Sequence, residues 1–551
     1  MAAVRWLFHG WLTINVFYFL LVLLVMVGAV DRSKVDGRWI KPIIDTLIDH
    51  RVLWEWRSTI VPITLSLYLW IFLPSLRRLV LKALGLFWKA LGSLPGKAIK
   101  ELWDRYKLII RFTLYGLEKA ESAQGRSGQS SVFTKLRHQY PADTHFIVLP
   151  MDMEYMGGGP VGRGGHYCDQ MSELLKMKSS STYGSRMHPF IFIDPRRITE
   201  KGKVFLDWGT APDGQVTLNE CDVKRYLNKG CSGLKIYPEL GYFPFDQYLL
   251  PLWLYAAQHG LPIMTHCIRG VIYFRGRIKK EWGQHPVFKR QWRMKDGGTY
   301  DIGDYEPMPL LQTKNIEFQE NFTHPLNYLC LLNKEFLVEY FMTLHKRYAD
   351  PKGTALAPYV STPDAAHFAR LVKLFGFNAQ EYTLDKDLGD LKICFAHFGG
   401  EDEWHRYLQT DTHAYSQQLV LHPDRGLDLQ LVEAGKKNWG RFEDHWQEAD
   451  WYSIICSMML QYDHVYADIS YILHDMAIRP LLNSTLTHPG RGGKLAERVL
   501  FGTDFYVVRN HKSDKDLLAT LTAGLPEQHF DLMARTNPQA YLAHAIGNAP
   551  A

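Results

Sequence analysis

Four short segments close apolar, strand-like runs with a carboxylate or an imidazole, the side chains that bind a hydrolytic metal ion. They are Asp152-Met153-Glu154, Thr265-His266-Cys267, Ala396-His397-Phe398-Gly399-Gly400 and Phe501-Gly502-Thr503-Asp504-Phe505. Asp152 and Glu154 stand two apart on an extended segment, so both side chains share a face. Such a pair can hold a hard or borderline divalent cation, or be an ordinary surface acidic pair. Gly157-Gly158-Gly159-Pro160 follows and lets the backbone pass close to a site. His266 ends LPIMTH and His397 ends LKICFAH; each is either a reactive imidazole or a hydrogen-bonded core residue. Asp504 ends RVLFGTD, where a carboxylate is costly unless paired, metal-bound or solvated at a cavity.

The elements that must carry these groups alternate along the chain. Candidate strands are His145–Pro150, Pro189–Asp194, Gly233–Tyr237, Pro262–His266, Lys392–His397, Val465–Ile469 and Val499–Gly502, with helical stretches such as Phe245–His259 and Pro363–Phe375 between them. Buried strands separated by helices imply a parallel sheet, and this many units imply an α/β fold of the closed (β/α)8 TIM-barrel type. An open doubly wound sheet is the alternative, but no G-x-G-x-x-G follows a strand to support a dinucleotide site. Reactive groups of such a barrel project from the C-terminal strand ends into one mouth. Two insertions, about 271–320 and 333–388, fall where lids and specificity elements sit or where a solvated insertion is tolerated.

Charge and hydropathy set the N-terminal part aside. Residues 1–120 hold 17 Lys and Arg against 8 Asp and Glu, and the remainder carries 46 against 49. That split suits anionic lipid headgroups, and no nucleic-acid partner is expected. Gly10–Val30 and Ser58–Leu76 are uncharged runs of about bilayer length, with Trp54, Trp56 and Trp70 near the ends of the second. Residues 1–76 therefore read as two transmembrane helices with a connecting loop. Residues 77–120 read as basic amphipathic helices lying on the membrane, 121–142 as a linker and 143–551 as the barrel. The expected protein is a two-span membrane protein with its barrel in the cytoplasm, and two spans per chain invite self-association into a homo-oligomer. Seven cysteines without CxxC spacing favour a reducing compartment over a disulfide framework.

Residues 143–545 resemble the amidohydrolase superfamily, in its amidohydrolase-related (ACMSD-like) branch. The resemblance rests on PFIFIDPR (189–196), GLKIYPELGYFPFD (233–246), PIMTHC (262–267), THPLNYLCLL (323–332), CFAHFGG (394–400), LFGTDF (500–505) and NPQAYL (537–542). It implies a small-molecule hydrolase with one divalent metal ion, in which His266 binds metal, His397 faces substrate, and Asp504 binds metal and acts as general base. Asp152 and Glu154 stand where the family has His-x-His, which would shift the preference from zinc toward manganese. The ion would then be held by Asp152, Glu154, His266 and Asp504. Its bound water would attack an amide, ester or lactone. Arg269 is expected either to pair with a substrate carboxylate or to form a structural salt bridge. Lys235 is expected to line the pocket, to bridge a second metal as a carbamate, or to be solvent-facing or ion-paired. Two other functions suit the same sequence: metal-assisted decarboxylation of an aromatic or unsaturated acid, and a membrane-docked barrel that has lost catalysis.

Overall fold

Each candidate strand forms, because each is a run of apolar residues short enough to be buried on both faces. The strands of the main sheet are β1 (Phe146–Val148), β2 (Met187–Phe192), β3 (Gly233–Ile236), β4 (Ile263–His266), β5 (Ile393–Ala396), β6 (Val465–Asp468) and β7 (Val499–Leu500). From β2 to β7 every residue is buried. A computed structural model describes residues 128–161, 166–270, 272–291, 305–310, 312, 314–349, 364–409, 415–505 and 514–547. The expected membrane spans and basic helices (1–120), and the start of the linker, lie outside these residues. The chain divides into two units, Met1–Ile110 and Arg111–Ala551, and everything described belongs to the second. Among the described residues no helix is long and apolar enough to cross a membrane.

All six strand pairings are parallel, and the strands lie side by side in their order along the chain. Their C-terminal ends therefore share one edge. Seven strands stand where a closed set of eight was expected, and among the described residues the sheet is open between β1 and β7. It still wraps an interior. Ile147, Phe190, Met264, Cys394, Tyr466 and Leu500, from six strands, pack into one cluster with Tyr541 and Leu542 of the helix Asn537–Gly547. Strand β3 contributes no apolar side chain there. Gly233 instead leaves room for the Phe190 ring, which a Cβ would approach to 2.5 Å. Lys392, at the start of β5, donates to the carbonyls of Ala540 and Tyr541 at 3.3 and 3.1 Å, so this last helix closes the N-terminal end.

The helices begin where local chemistry allows. The helix expected from Phe245 starts at Leu250, with Pro251 in its first turn. The one expected from Pro363 starts at Ala365, where the Asp364 side chain accepts from the His367 amide at 3.0 Å. The described parts of the insertions are folded. Gln284–Gln291 and Tyr305–Pro309 make an antiparallel ribbon, and Lys334–Ala349 is a helix whose buried Glu339 pairs with Lys289 of that ribbon and with Lys437.

Candidate active site

The first-strand carboxylates are committed elsewhere than expected. Asp194 closes β2 and caps the helix Pro195–Lys201, accepting from the Arg196 amide at 2.8 Å, and that short helix carries Arg197 inward. Arg197 Nε lies 2.6 Å from Asp152 Oδ2, and its Nη2 lies 3.0 Å from Glu154 Oε2. The two remaining oxygens are also taken: Asp152 Oδ1 accepts from the Glu154 amide at 3.1 Å, and Glu154 Oε1 from the Tyr167 amide at 2.9 Å. Tyr155 and Tyr167 flank the guanidinium, with ring centroids 5.2 and 4.9 Å from it. Burial pushes the Asp152 carboxyl up despite Arg197. In the more open Glu154, the Tyr167 amide and Arg197 outweigh desolvation and hold the pKa down.

The other predicted groups meet at the C-terminal edge. The His266 and His397 rings stand edge to face with centroids 4.7 Å apart. His266 also stacks on Tyr237 at 3.9 Å. Its Nδ1 lies 2.8 Å from Glu239 Oε1 and 2.7 Å from Oε2. Burial, then the neighbouring His397 and Lys235, holds the His266 pKa well below the ordinary imidazole value. Glu239 is fully buried and desolvation holds its pKa well above the usual carboxylate range. Asp504 interacts electrostatically with His397, Asp468 and Lys235; burial raises its pKa, with His397 opposing. Lys235 projects from β3 into this group. Desolvation lowers its pKa against the pull of Asp468, Glu239 and Asp504.

Strained backbone gathers at this edge. Among the described residues, seven that are not glycine have positive φ, and His397, Phe398, Tyr471 and Asp504 of that set lie just past the ends of β5, β6 and β7. The turn after β5 needs both of its glycines. Gly399 and Gly400 have φ of 85° and 92°, and a Cβ on Gly400 would lie 2.5 Å from Ile268 Cγ1.

Arg269 is ion-paired within the protein. It pairs with Glu403 at 3.1 Å and Glu320 at 3.5 Å, and its guanidinium lies 5.4 Å from the Trp451 ring centroid. Three residues of the mouth were not singled out from sequence: Glu239, Asp468 and Ser470. Glu239 lies inside the quoted GLKIYPELG segment and Asp468 is the last residue but one of the candidate strand Val465–Ile469. The available signal was a carboxylate at or just past a buried strand end, the same one that exposed Asp504.

The divalent ion implied by the family resemblance does not fit the four residues assigned to it. Three of the Asp152 and Glu154 oxygens accept hydrogen bonds and the fourth, Glu154 Oε2, is ion-paired with Arg197, so this pair already holds a cation, which leaves His266 and Asp504. Among the described residues no three His, Cys, Asp or Glu side chains gather to hold a metal ion. What the mouth does offer is two imidazoles, the buried carboxyls of Glu239 and Asp468, the half-buried carboxyl of Asp504 and the buried amine of Lys235, a set suited to proton transfer beside a polarised carbonyl.

No protein-family model matches the chain, and no curated protein matches it. Among solved structures it is similar to an uncharacterized TIM-barrel protein, Bb4693 from Bordetella bronchiseptica. The identity is 10%, the TM-score 0.27, and the match covers 68% of this chain and 72% of that one.

Proposed function

We propose that this chain is a barrel hydrolase that cleaves an amide, ester or lactone bond in the mouth formed by Lys235, His266, His397 and Asp504. The reading is supported by one observation above the rest: Asp504, His397 and Lys235, from three different strand ends, interact at one edge of a parallel sheet. That edge is where barrel enzymes keep their chemistry, and the resemblance to the amidohydrolase superfamily agrees with it. Asp504 and His397 take and return the proton. The Lys235 ammonium faces the oxygen on which negative charge develops, where a preorganised cation is most effective. His266, held by Glu239, orients the substrate beside them. No step runs through a metal ion. The uncharged runs Gly10–Val30 and Ser58–Leu76 anchor the enzyme in a bilayer and bring it to amphiphilic or membrane-delivered substrates.

The test is turnover by the full chain in lipid nanodiscs, offered a panel of carboxylic esters, lactones and amides with acyl chains of graded length. Hydrolysis of at least one class is expected. A panel that stays uncleaved, while an aromatic or unsaturated acid releases CO₂, would replace hydrolysis by decarboxylation.

A further inference from the structure

His397 occupies a turn that L-residues resist, with φ of 68° at His397 and 45° at Phe398. Asp468, at the end of β6, holds that turn. Its Oδ1 accepts from the His397 amide at 3.1 Å, from the Ser470 amide at 2.9 Å, and from the Ser470 hydroxyl. The hydroxyl proton is thereby spent on Asp468. Ser470 Oγ then faces His397 Nδ1, 3.0 Å away, with a lone pair. The Ser470 carbonyl oxygen, which can only accept, lies 3.2 Å from the same nitrogen. Both neighbours therefore require a proton on Nδ1. In the neutral ring the lone pair is then on Nε2, which has no partner among the described residues. Gly502, following β7, leaves the space this arrangement needs: a Cβ there would lie 2.8 Å from Ser470 Cβ and 3.4 Å from Asp468 Oδ1.

We propose that Asp468 and Ser470 are positioning residues that fix His397 in the tautomer protonated at Nδ1, so that Nε2 receives the proton of the attacking water. The assignment of the step rests on the hydrolase reading; the tautomer does not. In the step, a water O–H proton passes to Nε2 as the water oxygen bonds the acyl carbon and the carbonyl π pair moves onto its oxygen. When the carbonyl reforms, the bond to the leaving group breaks, and the leaving group takes a proton from the Asp504 carboxyl. The imidazolium proton then restores Asp504. These roles reverse those implied by the family resemblance, because a ring with its lone pair on Nε2 accepts from water and cannot donate to an oxyanion.

The experiment is long-range ¹H–¹⁵N correlation spectroscopy of the full chain labelled with ¹⁵N-histidine, with His397 assigned by the signals that vanish in His397→Asn. The wild-type chain is expected to show His397 Nδ1 protonated and Nε2 unprotonated. In Asp468→Asn that pattern is expected to give way to a mixture of tautomers. Ser470→Ala, which removes the hydroxyl but keeps the carbonyl acceptor, is expected to shift the tautomers in the same direction by a smaller amount, and serves if Asp468→Asn fails to fold. A wild-type ring protonated at Nε2 overturns the proposal, and so does a pattern unchanged in the folded variants. An uncleaved substrate panel would refute the hydrolase reading and leave the tautomer result standing.

Discussion

Arg197 Nε lies 2.6 Å from Oδ2 of Asp152, and the two side chains are 2% and 1% exposed. A buried ion pair of this kind contributes little net stability when complete but is costly to break, because the survivor is an uncompensated buried charge. The pair also decides how the first strand end is read: its carboxylates serve the fold before they serve chemistry.

Arg197→Met tests this directly. It strands Asp152 and leaves Glu154 with one fewer cation, and unfolding should become easier by about 3–5 kcal/mol. The measurement is the urea midpoint of the full chain. An unchanged midpoint would mean that the pair is not structural.

Glu239 and His266 form a second buried couple, at 2.8 Å. Glu239→Gln keeps both an acceptor and a donor within reach of Nδ1 and should leave stability within about 1 kcal/mol of wild type. Glu239→Leu leaves the ring nitrogen unpaired in a dry site and should destabilise by about 1–3 kcal/mol. Equal denaturation midpoints for the two variants would show that the contact carries no weight.

Acid should unfold the barrel earlier than its carboxylates alone require. His285 Nδ1 accepts from the amides of Val287 and Phe288 at 3.0 and 2.8 Å, and Nε2 lies 2.9 Å from Asn327 Oδ1. Burial pushes its pKa down from 6.5 to about 3. Between those values the unfolded chain binds a proton that the folded chain does not, so stability falls as pH falls, by about 1.4 kcal/mol per pH unit for one such group. Burial also lowers His445 to about 4, which steepens the upper part of the same window. His285→Gln should flatten the slope of melting temperature between pH 6 and pH 4, and a variant slope as steep as wild type would contradict this origin.

Removal of metal should leave turnover intact, because the first-strand carboxylates already hold a guanidinium. Hydrolysis by wild-type protein treated with a chelator and then dialysed is expected to match the untreated rate. Loss of activity on chelation, restored by Mn²⁺ or Zn²⁺, would show that Asp152 and Glu154 exchange Arg197 for a metal ion.

Much of the scaffold could be read from sequence, because buried parallel strands are short apolar runs that need no distant information. His266, His397 and Asp504 were visible for the same reason, as the polar residues that end such runs. The role of Asp152 and Glu154 was not, since it depends on Arg197, 45 residues beyond Asp152. That arginine is brought inward by the cap at Asp194 and the proline after it. Asp468 was hidden differently: its importance lies in the three donors its Oδ1 gathers, two of them from Ser470 and one from the turn after β5. All seven candidate strands form; the eighth that closure requires is not seen among the described residues, because an alternating pattern suggests closure without specifying the strand that achieves it.

The most direct measurement is the hydrolytic rate of Asp504→Asn beside wild type, on whichever ester, lactone or amide the wild-type chain cleaves. The amide keeps the shape of the carboxyl and removes its proton transfer. The rate constant should fall by about 10²-fold or more, with the fold intact by circular dichroism. A folded Asp504→Asn protein that cleaves the substrate at the wild-type rate would contradict the placement of the chemistry in this mouth.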